Sequence, residues 1–456
     1  MDSATKNSII YASYTRRQDE IKLLLSGAMS KIHLSNDLWS STNNLLLLGI
    51  VAHFLDAFNK HCTLLLALPR VWGAHDGANQ AEAIFKVVSR YGIMAQIGTF
   101  TMDNASNNDT MITALSRQVP TINSQHHLRC AGHIINLIVK AILYGNGITD
   151  FNKNIIGCSD AEAFELWQRF GAISKVHNTV KYIMRSDQRR QHFLMLQGKE
   201  KGETDDEDSL FQYAQCLLVK DRGVQWNSTY YMLYRAIQLQ TPIERFQYRP
   251  PDVNTRDLCY SPSQDRITAD DWENVREYLR LLGPFVEATK HLEGNAEHDG
   301  DEGVRGSIWE VFIWLQTLYT KVEKRLEKLK KEPESQFKTS LKFGKEKMDE
   351  YWSKLIYETP YYYTSIILHP NHGVTWFEKH WKGYGPWIKE VKTGMRRFVV
   401  SFGQSLEGSE DEVELQEERL VARKLPEAVI KRREEQRLLG LLDSDDKDIF
   451  IPTPVA

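Results

Sequence analysis

Three apolar stretches crowd into residues 31–72, and their spacing fixes much of what this chain can become. The first, KIHLSNDLWSS from Lys31, alternates with period two: Ile32, Leu34 and Leu38 fall on one side, His33, Ser35 and Asp37 on the other. That is the signature of a strand with one buried face. NLLLLGIVAHFLDA and HCTLLLALPRVW follow as long apolar runs with short polar breaks and read as two more strands. The spacing predicts a three-strand meander.

The pattern then changes period. DGANQAEAIFKVVSRYGI sets Ile84, Val87, Val88 and Tyr91 at helical spacing, and Gly92 stands where a helix C-cap is expected. QIGTFTMD supplies a fourth strand, with Ile97, Thr99, Thr101 and Asp103 on one face and Gly98, Phe100 and Met102 on the other. DTMITALSRQ reads as a helix over 109–118, and RCAGHIINLIVKAILYG as a short strand end running into another helix. Upstream, residues 1–30 read as an amphipathic lead-in helix with Ile21, Leu24 and Leu25 on one face. Strands first and helices between them predict an α/β layout on a mixed sheet over 31–150.

Beyond residue 150 helical patterns dominate, including SIWEVFIWLQTLY, whose Trp and Leu stripe reads as ordinary helix core. Acidic loops at 198–209 and 293–303 separate them. These features predict a helical domain over 151–345, a return segment over 346–400 and an acidic tail over 401–456. The tail carries 14 acids against 8 bases and is expected to be largely disordered. At 456 residues and 42% hydrophobic content there is material for more than one core. A net charge of -3 gives no global pull toward nucleic acid, so any such contact needs a local basic face. Five Cys with no CxxC pair argue against a disulfide framework. No secretory signal or run long enough to span a bilayer is seen, so a soluble intracellular protein with no membrane partner is expected.

Two acids close strands. Asp37 ends the first and Asp103 the fourth, and functional groups gather beyond the carboxyl ends of such strands. If those strands are neighbours, the two carboxylates sit side by side and invite a divalent cation, which Mg²⁺ satisfies with hard oxygen ligands. The competing reading is local: Asp103 followed by Asn104, Ser106 and Asn107 is also turn and N-cap chemistry, and spacing alone favours it. His127, Cys130 and His133 form His-x2-Cys-x2-His, but a structural zinc site needs four ligands and no second pair lies nearby, so zinc is not expected. Cys130 instead reads as a buried strand residue, with His133 opening the next helix near the acidic end.

Several of these motifs together resemble a known family. KIHLSNDLWSS, TMDNASNN, RCAGHIINL and VQWNSTYYML occur in the order seen in hAT-superfamily DNA transposases of fungal and plant type, which have an RNase H-like core. DEYWSKLIYETPYYYTSIILHPNHGVTWFEKHW resembles a further stretch of the same proteins. The resemblance implies an RNase H-like mixed sheet interrupted by a large all-helical insertion domain. It implies Asp37 and Asp103 as catalytic carboxylates binding Mg²⁺ or Mn²⁺, with Cys130 and His133 supporting the active-site region. Trp226 matches the insertion-domain Trp that stacks on DNA, although the Arg usual before it is Gln225 here. Packing of Trp226 in the helical domain, with Ser228 capping a helix from Thr229, is the alternative.

The resemblance also implies partners and a place: DNA, at transposon ends or targets, in the nucleus. Its third catalytic carboxylate is a Glu in an SxxSERxFS-like segment that also serves dimerisation. No such stretch is found, and Glu287, Glu293 and Glu310 have nothing to bring them to the site. A BED-type zinc finger is not found either. These readings predict a truncated, transposase-derived DNA-binding protein whose ancestral cut-and-paste activity is lost. The alternatives are an exapted nuclear regulator acting through DNA or protein contacts, a nuclease with a substitute acid, and a helical interaction protein.

Overall fold

A computed structural model describes residues 3–73, 76–145, 171–197, 216–221, 226–248, 265–293 and 306–403. The acidic loop at 198–209, nearly all of that at 293–303 and the tail beyond 403 lie outside the described residues. Two compact units divide the chain. One holds 1–134, 292–313 and the segment from 351; the other holds 135–291 and 314–350.

The first unit opens with α1 (Ser3–Ser26), in which Ile21 and Leu25 are buried. Leu24, expected on the same face, is exposed, because the buried stripe is the narrower i, i+4 pair. The predicted meander follows as β1 (Ile32–Ser40), β2 (Leu46–Leu55) and β3 (His61–Ala67), paired antiparallel in sequence. Next come α2 (Gly77–Tyr91), β4 (Ile97–Met102), α3 (Ser106–Ser116), β5 (His127–Arg129) and the first four residues of α4 (Ala131–Tyr144), the rest of which belongs to the second unit. Strand order is β3-β2-β1-β4-β5, with β1–β4 and β4–β5 parallel, so the sheet is mixed. Gly92 ends α2 at φ 73, a left-handed conformation that costs a residue without Cβ little, and donates to Ser89 O. At the other end Asp76 caps by accepting from Asn79 N at 2.9 Å.

One sheet face carries the core. Leu34, Leu48, Ile50, Phe100 and Met102 join Ile84 and Val88 of α2, Met111 and Leu115 of α3, and Leu25 of α1 in a single buried cluster. β1 and β2 largely alternate because their core side lies on that face, whereas β4, with a neighbour on either side, is buried at nearly every position. The return segment adds an aromatic knot to this unit. Phe312 lies 5.1 Å from Trp352 and 5.8 Å from Trp381, ring centre to ring centre, in edge-on geometry.

The second unit is helical: α5 (Gly171–Met184), α6 (Asp187–Gln197), α7 (Trp226–Gln238), α8 (Gln240–Tyr248) and most of α9 (Ala269–Leu292). Parts of α10 (Ile308–Leu329) and α11 (Gln336–Tyr357) complete it. Its α5 buries Ile173, Val176, Val180 and Ile183, and α10 buries Leu315, Leu318 and Val322 as the stripe predicted. A buried amide ties three segments: Gln247 donates to Thr179 Oγ1 and Asp265 O and accepts from Ile267 N. The first unit closes with α12 (Tyr361–Ile367), α13 (Gly373–His380) and α14 (Gly385–Gly403). No helix among the described residues is long and apolar enough to cross a membrane.

Candidate functional site

The parallel pairing of β1 with β4 builds the site. Leu34 pairs with Phe100 and Ser35 with Thr101, so two residues further along each chain Asp37 stands level with Asp103. Level residues of neighbouring strands project from the same face, so Asp37 shares the side of Ser35, and Asp103, the first residue past β4, continues the phase of Thr101.

The register holds only because of a bulge. Ile32 pairs with Ile97, yet Leu34 pairs with Phe100, so Gly98 and Thr99 together oppose His33. Ile97 therefore falls on the core face beside Ile32 and is buried, and the expectation that it shares a face with Thr99 and Asp103 is corrected. Thr99, Thr101 and Asp103 keep their phase beyond the bulge.

Local contacts set the two acids apart. Asp37 does not end β1, which runs on to Ser40; it is exposed and lies across from Gly49 of β2. Asp103 is half-buried at the turn into α3, where its Oδ1 accepts from Ala105 N at 3.1 Å and from Asn108 Nδ2 at 2.5 Å. The turn reading is thus real, but Asp103 does not cap α3. That helix begins at Ser106, three residues earlier than its apolar pattern predicted, and its N-cap is Ala105 without a side-chain bond. Sequence reasoning missed Asn108, which looks like any other amide in the run ASNND.

A tight contact anchors α3. A Cβ on Gly77 would lie 2.4 Å from Met111 N and 2.6 Å from Asn107 O, so only glycine lets α2 begin this close to α3.

Away from the acids the same sheet face carries a hydrogen-bonded row. His33 Nδ1 accepts from Thr99 N at 3.1 Å, Ser35 Oγ meets His53 Nε2 at 2.8 Å, and His53 Nδ1 lies 3.3 Å from Thr63 Oγ1. Burial lowers the pKa of His33, helped by nearby His53 and His126. Burial likewise lowers that of His53, helped by His61.

Cys130 is not a buried strand residue. It is half-buried just past β5, donates its N–H to Met102 O at 2.7 Å, and its carbonyl starts α4 by accepting from Ile134 N. His133 lies in the first turn of that helix, half-buried. His127 Nδ1 is 2.9 Å from Asp109 Oδ1, and burial lowers its pKa against the pull of Asp109. Among the described residues no group of three or more His, Cys, Asp or Glu is arranged to hold a metal ion. Glu310, weighed as a spare acid, is buried at the start of α10, where it accepts from Ser307 N at 2.9 Å.

At the end of β5, buried Arg129 donates from Nε to Glu358 at 2.8 Å, and Tyr362 donates its hydroxyl to Arg129 O at 2.7 Å. Thr359 donates to Gln125 O at 2.7 Å. The return segment is stitched to the strand that leads into Cys130 and His133.

In the helical unit Trp226 is 2% exposed and opens α7, packed edge-on to Tyr230 at 6.3 Å. A base cannot stack on it in this conformation. Ser228 does not cap a helix from Thr229, since α7 starts at Trp226. Instead Ser228 and Thr229 donate to the two oxygens of Asp221 at 2.6 and 2.7 Å.

Known proteins share this arrangement in sequence. Residues 35–134 match the ZBED1 RNase-like domain and residues 128–280 the ZBED1 RNase-like helical domain. A protein of Talaromyces stipitatus named as a transcriptional regulator, tpeD, is 28% identical over 69% of this chain and 34% of its own length. RICESLEEPER 2 of Oryza sativa subsp. japonica, named as a zinc finger BED domain-containing protein, is 22% identical over 62% of this chain and 34% of its own. A Zea mays protein named as an AC transposase is 22% identical over 64% and 32%. The chain spans about a third of the length of these curated relatives.

Proposed function

The chain belongs to the hAT-type transposase-like proteins, and from that premise we propose that it is a transposase-derived DNA-binding protein acting in the nucleus. The observation that carries the reading is the register that sets Asp37 level with Asp103 at the end of a parallel strand pair. Two carboxylates on one face at a sheet end suit the phosphate-rich backbone of DNA only with a cation between them. The donor chemistry fits Mg²⁺ or Mn²⁺: both donors are hard oxygens, and Asp103 Oδ2 has no protein donor among the described residues. Asp37 and Asp103 would hold the ion, which supplies charge neutralisation and polarisation of a phosphoryl oxygen.

Charge for the rest of the backbone comes from elsewhere in the same unit. Lys389, Lys392 and Arg396 are exposed on α14 at i, i+3, i+7 spacing, which lines them along one helix face, with Lys392 also paired to Glu378 at 2.7 Å. Such a row neutralises successive phosphates without reading bases.

Regulation by binding, rather than cut-and-paste cleavage, is the form of the activity we favour. The relative named as a transcriptional regulator is 28% identical, against 22% for the one named as a transposase. The packed Trp226 supports the same reading, because a flipped base finds no open ring there. The test is binding and cleavage measured together. Purified protein is titrated onto duplex and branched DNA at two salt concentrations, then incubated with Mg²⁺ or Mn²⁺ beside an Asp103→Asn control. Salt-sensitive binding without Asp103-dependent cleavage is expected. Salt-independent or undetectable binding sinks the DNA reading, and cleavage lost in Asp103→Asn sinks the non-cleaving form of it.

A further inference from the structure

We propose that Asn108 is a positioning residue for Asp103: its buried side-chain amide commits one carboxylate oxygen to the protein and leaves the other for a ligand. The inference rests on reading Asp37 and Asp103 as an oxygen-donor pair. Asn108 is 8% exposed in the first turn of α3. Its Nδ2 donates twice to the same residue, to Asp103 Oδ1 at 2.5 Å and to Asp103 O at 3.1 Å. Ala105 N adds a third donor to the residue, also on Oδ1.

A free aspartate carboxyl turns readily about its last torsion, since that rotation has only broad minima. Two donors converging on one oxygen remove this freedom, and the bond to the main-chain carbonyl fixes the plane of the amide that imposes it. The outcome is a carboxylate with one saturated oxygen and one available oxygen, suited to a single-oxygen contact. Asparagine is the side chain that does this here. Aspartate would bring a like charge and no donor at neutral pH, and serine is too short to reach both acceptors. Outer partners that orient a ligating carboxylate are worth about 10- to 100-fold in metal affinity.

The experiment measures Mn²⁺ affinity by electron paramagnetic resonance and hydrogen–deuterium exchange over 101–107, using the full chain. Wild type, Asp103→Asn, Asn108→Ala and Asn108→Leu are compared, with circular dichroism confirming that each is folded. Leucine fills the buried volume without a donor, which separates lost packing from lost orientation. Both Asn108 variants are expected to bind Mn²⁺ about 10- to 100-fold more weakly and to exchange faster over 101–107. Mn²⁺ affinity within about twofold of wild type, alongside a loss in Asp103→Asn, overturns the proposal, twofold being well short of that range. Equal Mn²⁺ binding by wild type and Asp103→Asn instead sinks the oxygen-donor pair. Exchange then decides Asn108 alone: faster exchange upholds its positioning role and unchanged exchange overturns it.

Discussion

Arg129 and Glu358 meet at 2.8 Å although 229 residues separate them along the chain. The guanidinium also lies 3.4 Å from Asp109, whose carboxylate also meets His127 Nδ1 at 2.9 Å. One buried cation thereby joins β5, α3 and the start of the return segment within the sheet-bearing unit.

Removing that cation leaves its partners less satisfied than removing one of them. Arg129→Leu is expected to destabilise the sheet unit by about 3 kcal/mol, the lower end of the range for breaking a buried pair, because Glu358 and Asp109 keep access to water. Glu358→Gln retains a hydrogen-bond acceptor and should cost about 1 kcal/mol. Urea unfolding of the two variants checks the order. Equal losses would show that Arg129 acts only through Glu358.

The contact of α2 with α3 makes a second, steric test. In Gly77→Ala the new methyl meets backbone atoms of Asn107 and Met111, which cannot turn aside as a side chain can. The helices must part, and overpacking of this kind costs about 1–3 kcal/mol. Thermal unfolding should report the loss. Because Asn108 follows Asn107, Mn²⁺ affinity should fall as well.

Acid should weaken the sheet through its histidines. His33 and His53 are held below the ordinary imidazole value of 6.5, chiefly by burial. Each therefore binds fewer protons folded than unfolded. Their contribution is fully present above pH 6.5 and is lost as pH falls through the depressed folded values. The groups facing them oppose protonation: Thr99 N–H donates to His33 Nδ1, with His53 and His126 nearby. His53 is flanked by Ser35, Thr63 and the ring of His61 at 6.3 Å. Denaturant midpoints between pH 7.5 and 5 should fall in wild type and fall less steeply in His33→Asn, whose amide oxygen can accept from Thr99 without titrating, while His53 keeps its share. A wild-type midpoint that holds constant or rises toward pH 5 would contradict this.

Much of this architecture was legible in one sequence because it is written in local periods. The alternation through Ile32, Leu34 and Leu38 marks a one-sided strand, and Gly92 marks where α2 must stop. The bulge at Gly98–Thr99 was not legible, since IGTFTMD alternates acceptably whether or not a residue is extra; the pairing with β1 decides. Nor was Asn108, whose role depends on the turn that folds it back onto Asp103. Ser228 looked like a cap because its true partner, Asp221, precedes it in a segment with no regular pattern. Side chains that act across a turn or between segments leave no period to read.

Trp226 gives the sharpest choice between a structural and a nucleic-acid role. A Trp that is 2% exposed at the first turn of α7, edge-on to Tyr230, holds its helix in place by burying a large ring. Trp226→Ala should then destabilise the helical unit by about 3–5 kcal/mol, the usual range for losing a buried Phe or Trp side chain. Trp226→Phe should recover more than half of that, because most of the apolar volume returns. A base-stacking role predicts a different pattern: unchanged stability, with DNA affinity falling by about 1–3 kcal/mol in the alanine variant. Urea unfolding and fluorescence-anisotropy titration of the same two variants decide between them. The packing seen here predicts that the unfolding midpoint moves and that DNA affinity, measured where both variants remain folded, does not.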